Sequence, residues 1–122
     1  MKIYTSYYGK RIKGIEVISI SRYNPKWFEG KTIKELTPTK EIFQMMLDTW
    51  KQPFENLMRS RKKEIEKALL NYKNDIVLLC YEKDVNHCHR GIVSRVLKEW
   101  GYDVAGEYAG KKVDEDIQLG FF

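Results

Sequence analysis

Cys80, Glu82, His87, Cys88, His89 and Arg90 crowd into one short stretch, and they include both cysteines and both histidines of the 122-residue chain. The apolar run Ile76-Val77-Leu78-Leu79 precedes them. An amphipathic pattern through Ile92, Val93, Val96, Leu97 and Trp100 follows. That layout is a buried strand, a loop and a helix, and in α/β proteins ligands bind at such a junction, outside the carboxyl end of the strand. Four chemistries are open to these side chains: anion binding, proton transfer, nucleophilic attack and metal ligation.

Arg90 falls in the first turn of the expected helix, where unpaired N–H groups carry partial positive charge. A cation is unfavourable there unless it has a further role. Holding an anion between the helix N-terminus and the guanidinium is one such role. A salt bridge to Glu82 or Asp84 is the other. Arg22 comes just after the apolar run Ile15–Ile20, so two parallel strands would bring Ser21, Arg22, Cys80, Glu82 and Arg90 to one cleft. Tyr7 and Tyr8 would join them if the first strand runs the same way. Glu82 lies two residues beyond Cys80, on the same side of an extended strand end. Its carboxylate could orient a ligand hydroxyl, act as a base, or serve as a partner for the arginines.

Cys88 could be a nucleophile, its thiol acidified by the helix N-terminus and a neighbouring cation. The phosphatase pattern of cysteine, five residues and arginine is not met. Ser94 stands at the required position, Arg95 is one place late, and the loop lacks the glycines that would turn successive amides to an anion. The other reading of Cys88 is a small buried residue at a tight turn. His89 suits either general acid–base work or a structural hydrogen bond to backbone. Zinc would find the right ligand types, but adjacent residues rarely share one ion and no Cys-x-x-Cys pair occurs. No metal and no cofactor is expected.

The elements that must carry these residues are legible in outline. Lys2–Ser6 and Ile15–Ile20 read as strands, the second β-branched and apolar. The link between them is shorter than the dozen residues a helical crossover needs, so their relative direction stays open. Ser21–Leu36 reads as a long loop with Trp27 and Phe28 exposed, and such loops are often functional. Thr37-Pro38 looks like a helix start. Ile42, Phe43, Met46, Leu47 and Trp50 would form its apolar stripe. Pro53 then marks a break before a second helix packed through Phe54, Leu57, Met58, Ile65 and Leu69. After strand Ile76–Cys80, a helix from Cys88 to Trp100 would end at Gly101 in a left-handed cap. Asp103–Tyr108 completes the set as a last strand. The expected fold is α/β: a small, mostly parallel sheet flanked by helices, a Rossmann-like three-layer sandwich. One domain is expected over residues 1–109, followed by a C-terminal tail over 110–122.

Composition excludes little. Hydrophobic residues are 43% and charged residues 32%, as in an ordinary globular protein. No apolar run is long enough for a membrane span, and the N-terminus reads as a strand rather than a signal peptide. Two cysteines are too few for a disulfide framework, which points to a reducing, cytoplasmic setting. The net charge of +5 is concentrated in residues 1–40, where Lys2, Lys10, Arg11, Lys13, Arg22, Lys26, Lys31, Lys34 and Lys40 face only Glu16, Glu29 and Glu35. Such a face would attract phosphate-bearing partners, or be no more than a solvated surface.

The segments Ile18-Ser19-Ile20-Ser21-Arg22, Pro25-Lys26-Trp27, Leu36-Thr37-Pro38, Leu79-Cys80-Tyr81-Glu82-Lys83 and Cys88-His89-Arg90 resemble the family known as domain of unknown function 488. The resemblance runs in order from Met1 to Tyr108. It implies an α/β fold and gives Arg22, Cys80, Glu82, Cys88, His89 and Arg90 as the functional positions, without naming a reaction. His87 stands where an apolar or aromatic residue belongs. The functional expectation is therefore a cleft for a phosphate-bearing small molecule or nucleotide. Ser21, Arg22, Cys80, Tyr7 and Arg90 would bind, and Glu82, Cys88 and His89 would act if the protein is a small enzyme. The alternative is an accessory protein that binds nucleic acid weakly through the basic N-terminal surface, with Trp27 and Phe28 for stacking.

Overall fold

The computed structural model describes residues 1–45 and 49–109. Met46 and Leu47 of the expected stripe, and the segment expected as a tail, lie outside the described residues. Five strands form one sheet: β1 (Ile3–Tyr7), β2 (Glu16–Ser19), β3 (Lys31–Thr32), β4 (Ile76–Cys80) and β5 (Val104–Glu107). Their order is β3-β2-β4-β1-β5 and every pairing is parallel. The α/β arrangement expected from the sequence is therefore present.

β4 lies between β2 and β1, which explains its unbroken run of apolar residues: all five are buried. It also resolves the short β1–β2 link. The two strands are parallel but not neighbours, and residues 8–15 cross over β4 without a helix. Strand period then divides the sheet into two faces. Ile3, Ile18, Ile20, Ile76, Leu78 and Cys80 face one way. They pack with Ile42 of α1 (Lys40–Phe43), Phe54 and Met58 of α2 (Lys51–Ser60), Ile65 and Leu69 of α3 (Lys62–Leu69), and Val93, Val96 and Leu97 of α4 (His89–Glu99). On the other face Val77, Leu79 and Tyr8 form a second cluster with Tyr4, Ile12, Ile15, Val17, Phe28 and Tyr108. The layers are thus helices, sheet, and a cover of loop side chains.

Several boundaries differ from expectation for identifiable reasons. The first helix begins at Lys40 because Thr39, not Thr37, caps it: Thr39 Oγ1 accepts from Ile42 N at 3.2 Å. Thr37 instead closes a 3-10 turn over Lys34–Leu36, donating to the Lys34 carbonyl at 2.7 Å. Pro53 sits inside the first turn of α2, where its missing N–H has no partner to lose. The expected second helix is divided at Arg61, whose guanidinium reaches the carbonyls of Glu35 and Thr37. Gly101 ends α4 at a φ of 99°, as anticipated. Within the long loop Ser21–Leu36 the structure adds β3, two residues that the sequence does not mark. No helix among the described residues is long and apolar enough to cross a membrane.

A candidate pocket at the carboxyl edge of the sheet

β1, β2 and β4 all end at the same edge, and a pocket of about 270 Å³ opens there. Its polar lining includes Ser21, Arg22, Glu82 and His89, together with Cys80 and Cys88; its apolar wall includes Ile42, Phe43 and Trp50. Six of the eight residues singled out from the sequence thus meet in one cavity. Arg90 and Tyr7 do not line it. Arg22 and Glu82 are exposed at the rim, and among the described residues neither side chain has an oppositely charged partner.

The floor is made of sulfur and imidazole. Cys80, the last residue of β4, and Cys88, the N-cap of α4, are both almost fully buried and are joined by a disulfide. The sequence reading took them as separate free thiols; in this oxidised form Cys88 has no thiolate with which to attack. What brings them together is the loop between them, which folds back through a 3-10 turn over Val85–His87. Gly91 permits that return. A Cβ there would sit 2.9 Å from the Val85 carbonyl oxygen, closer than side-chain carbons come to backbone oxygen.

His89 is fixed from both sides. Its Nε2 lies 2.6 Å from the Ile20 carbonyl oxygen, which can only accept, so Nε2 carries the proton. Nδ1 therefore presents its lone pair, 3.5 Å from Cys80 Sγ. Phe54 packs edge-on against the ring at 5.0 Å. Burial holds the imidazole pKa down at about 4; the Ile20 hydrogen bond opposes this shift and the charge of Arg90 adds to it. At neutral pH the ring is uncharged. His87, by contrast, points to the exposed Asp84 carboxylate at 2.8 Å. The Asn86 amide, and then His87, lower the pKa of that carboxyl.

Arg90 is fully buried. Its Nε donates to Glu107 Oε2 at 3.0 Å and its Nη2 to Glu107 Oε1 at 2.9 Å, a two-pronged pair. Nη2 also donates to the Lys83 carbonyl at 2.9 Å, and Nη1 to the Glu82 carbonyl. The salt bridge anticipated for Arg90 therefore exists, but with Glu107 of β5 rather than the Glu82 or Asp84 carboxylate. Tyr7 accompanies it, with the guanidinium carbon 5.8 Å from the ring centre. Arg90 acts on the pocket indirectly, by clamping the backbone that presents Glu82.

Sequence reasoning missed Glu107; of a second group beside the pocket it named Tyr8 and Ser21 but not Ser19, Asn24 or Thr32. The Tyr8 hydroxyl lies 2.7 Å from Ser19 Oγ and 3.2 Å from Ser21 Oγ. Ser19 Oγ in turn bonds Asn24 Oδ1, and Asn24 Nδ2 donates to Thr32 Oγ1 at 3.0 Å. This network orients the Ser21–Arg22 segment. Its one visible trace in the sequence is the pair of serines flanking Ile20 at the end of an apolar strand.

Fold and site together define an α/β protein with a ligand-sized pocket at the carboxyl edge of a parallel sheet, floored by a Cys–Cys–His cluster. More narrowly, residues 3–101 match the family model described as the active DUF488-N3 subclade, DUF488-N3a, and the chain belongs to this DUF488 subclade. Comparison with curated proteins and with solved structures gave no match.

Proposed function

We propose that the pocket binds a small phosphate-bearing molecule, best a nucleotide, in the cytoplasm. The observation that carries this reading is Arg22, a guanidinium at the pocket rim with no ionic partner among the described residues. Its planar fork of N–H donors can meet two phosphate oxygens at once. The apolar wall of Phe43, Trp50 and Ile42 offers a surface for a base, and Glu82 can accept from a sugar hydroxyl or move a proton. His89 is a weak candidate for proton transfer near neutral pH, because both ring nitrogens face protein groups and the ring is held neutral. Its part is to fix the floor of the pocket.

Thermal unfolding across nucleotides, sugar phosphates and inorganic phosphate tests this reading. A ligand at about 100 times its dissociation constant adds roughly 2.7 kcal/mol, a shift of several degrees for a domain of this size. Arg22→Ala, at an exposed position, is expected to leave the unliganded protein unchanged. It should weaken ligand binding by about 1.5–3 kcal/mol, the value of a hydrogen bond to a charged group. Equal shifts in wild type and variant would overturn the reading.

A second reading is weak nucleic-acid binding on the loop-covered face. Lys10, Arg11, Lys13 and Trp27 line a cavity there, and the Arg11 guanidinium lies 4.4 Å from the Trp27 ring centre. A steep fall of single-strand binding with salt would support it. Binding that ignores salt, or none at low salt, would count against it.

A further inference from the structure

The sulfurs of Cys80 and Cys88 and a ring nitrogen of His89 all lie within 4.8 Å of one another. We propose that in the reduced protein these three atoms bind zinc, leaving the fourth coordination position open to the pocket.

The geometry fits the ion. Zinc–sulfur bonds of about 2.3 Å and zinc–nitrogen bonds of about 2.0–2.1 Å set tetrahedral edges of about 3.6 Å between sulfur and nitrogen and about 3.8 Å between two sulfurs. Cys80 Sγ and His89 Nδ1 already stand 3.5 Å apart. The Cα atoms of the two cysteines are 7.0 Å apart, which leaves room for the sulfurs to part around an ion. His89 is arranged as a metal-binding imidazole usually is: one nitrogen donates to a backbone carbonyl and the other offers its lone pair inward.

Adjacent residues seldom share an ion, yet here the chain changes conformation between them. Cys88 is extended, at φ −132° and ψ 144°, and His89 is the first helical residue. The alternation that would separate their side chains is broken at that bond. The chemistry also balances. Two thiolates neutralise a divalent cation, and two buried thiolates with no cation beside them would be costly. All three ligands line the pocket with Glu82 at its rim, so the open position would face whatever occupies it. Three protein ligands and one free position is the pattern of catalytic rather than structural zinc.

The oxidised and zinc-bound forms exclude each other. Reduction by a water-soluble phosphine takes one water, converting the disulfide to two thiols and the phosphine to its oxide. Zinc then displaces the two thiol protons. The site therefore exists only where the pair is kept reduced.

Cobalt(II) tests this without any nucleotide, so the outcome is independent of the pocket's organic ligand. Full-length protein reduced by phosphine under anaerobic conditions is titrated with the metal. The expected result is one equivalent bound, with the intense visible bands of tetrahedral cobalt and a thiolate-to-cobalt charge-transfer band, all erased by zinc. The disulfide form should give neither. A thiol reagent should find two reactive cysteines in the reduced metal-free protein and neither after zinc is added, a readout that needs no substitution. Cys88→Ser and His89→Gln should each weaken metal binding at least tenfold, with folding checked by circular dichroism. Absence of the charge-transfer band in reduced wild type overturns the proposal. So does failure of zinc to protect the thiols, or a cobalt spectrum unchanged in both variants.

Discussion

The two faces of the sheet are built differently. On the helical face, four helices, a buried arginine and a disulfide fix the candidate site on regular structure. On the opposite face the cover is loop, and its chemistry is aromatic and basic, with Trp27 about half exposed and Arg11 stacked on it. A site that must hold reacting atoms in register needs supports of the first kind. A surface that grips a flexible, charged partner can use the second. Under the proposed readings, precise chemistry would fall to the cysteine–histidine floor and adaptable binding to the other side.

The strongest way to break that contrast is Arg90→Ala. It would strip Glu107 and the Glu82 and Lys83 carbonyls of a buried donor, and should cost about 3–4 kcal/mol in denaturant unfolding. A loss below about 1 kcal/mol would show that the helical face does not depend on this clamp. Next is pH. His89 in the metal-free protein binds its proton only near pH 4, whereas an unfolded histidine does so near 6.5. Between those values the unfolded chain holds more protons, so stability is complete above about 6.5 and falls as pH drops toward 4, by about 3 kcal/mol. His89→Gln should flatten that part of the stability curve. An unchanged slope in the variant would assign it to other groups.

Gly91→Ala sharpens the picture at smaller scale. The added methyl meets the Val85 carbonyl, so the loop carrying Cys88 must shift, at about 1–3 kcal/mol. Slower formation of the disulfide in a thiol assay would accompany it. Trp27→Ala should have the least effect on folding, within about 0.5 kcal/mol. If the loop-covered face binds single strands, the same change removes about 1–3 kcal/mol of affinity. A large loss of stability would mean that Trp27 belongs to the core cover rather than to a binding surface.

Much of the site could be read from the chain because strand period and chain order are local. The run Ile76–Leu79 announced a buried strand, the residues after it announced the pocket edge, and Gly101 announced the end of α4. Cys80 and Glu82 both line the pocket, but so does Tyr81 between them, because the strand and its alternation end at Cys80. The Thr39 cap was misplaced by two residues because Thr37 and Thr39 are chemically equal at sequence level. Only the return of the chain decides which hydroxyl meets a free amide.

The sequence by itself determined the α/β class, the buried strand Ile76–Cys80 and the location of the reactive cluster, since hydrophobic period and residue type act over a few positions. Tertiary structure alone decided the pairings. It bound Arg90 to Glu107, seventeen residues away on β5, joined Cys80 to Cys88, and turned His89 Nδ1 toward sulfur by giving Nε2 the Ile20 carbonyl. A buried donor or acceptor takes the partner that the fold brings within reach. That distance is set by how strands and helices stack, not by their spacing along the chain.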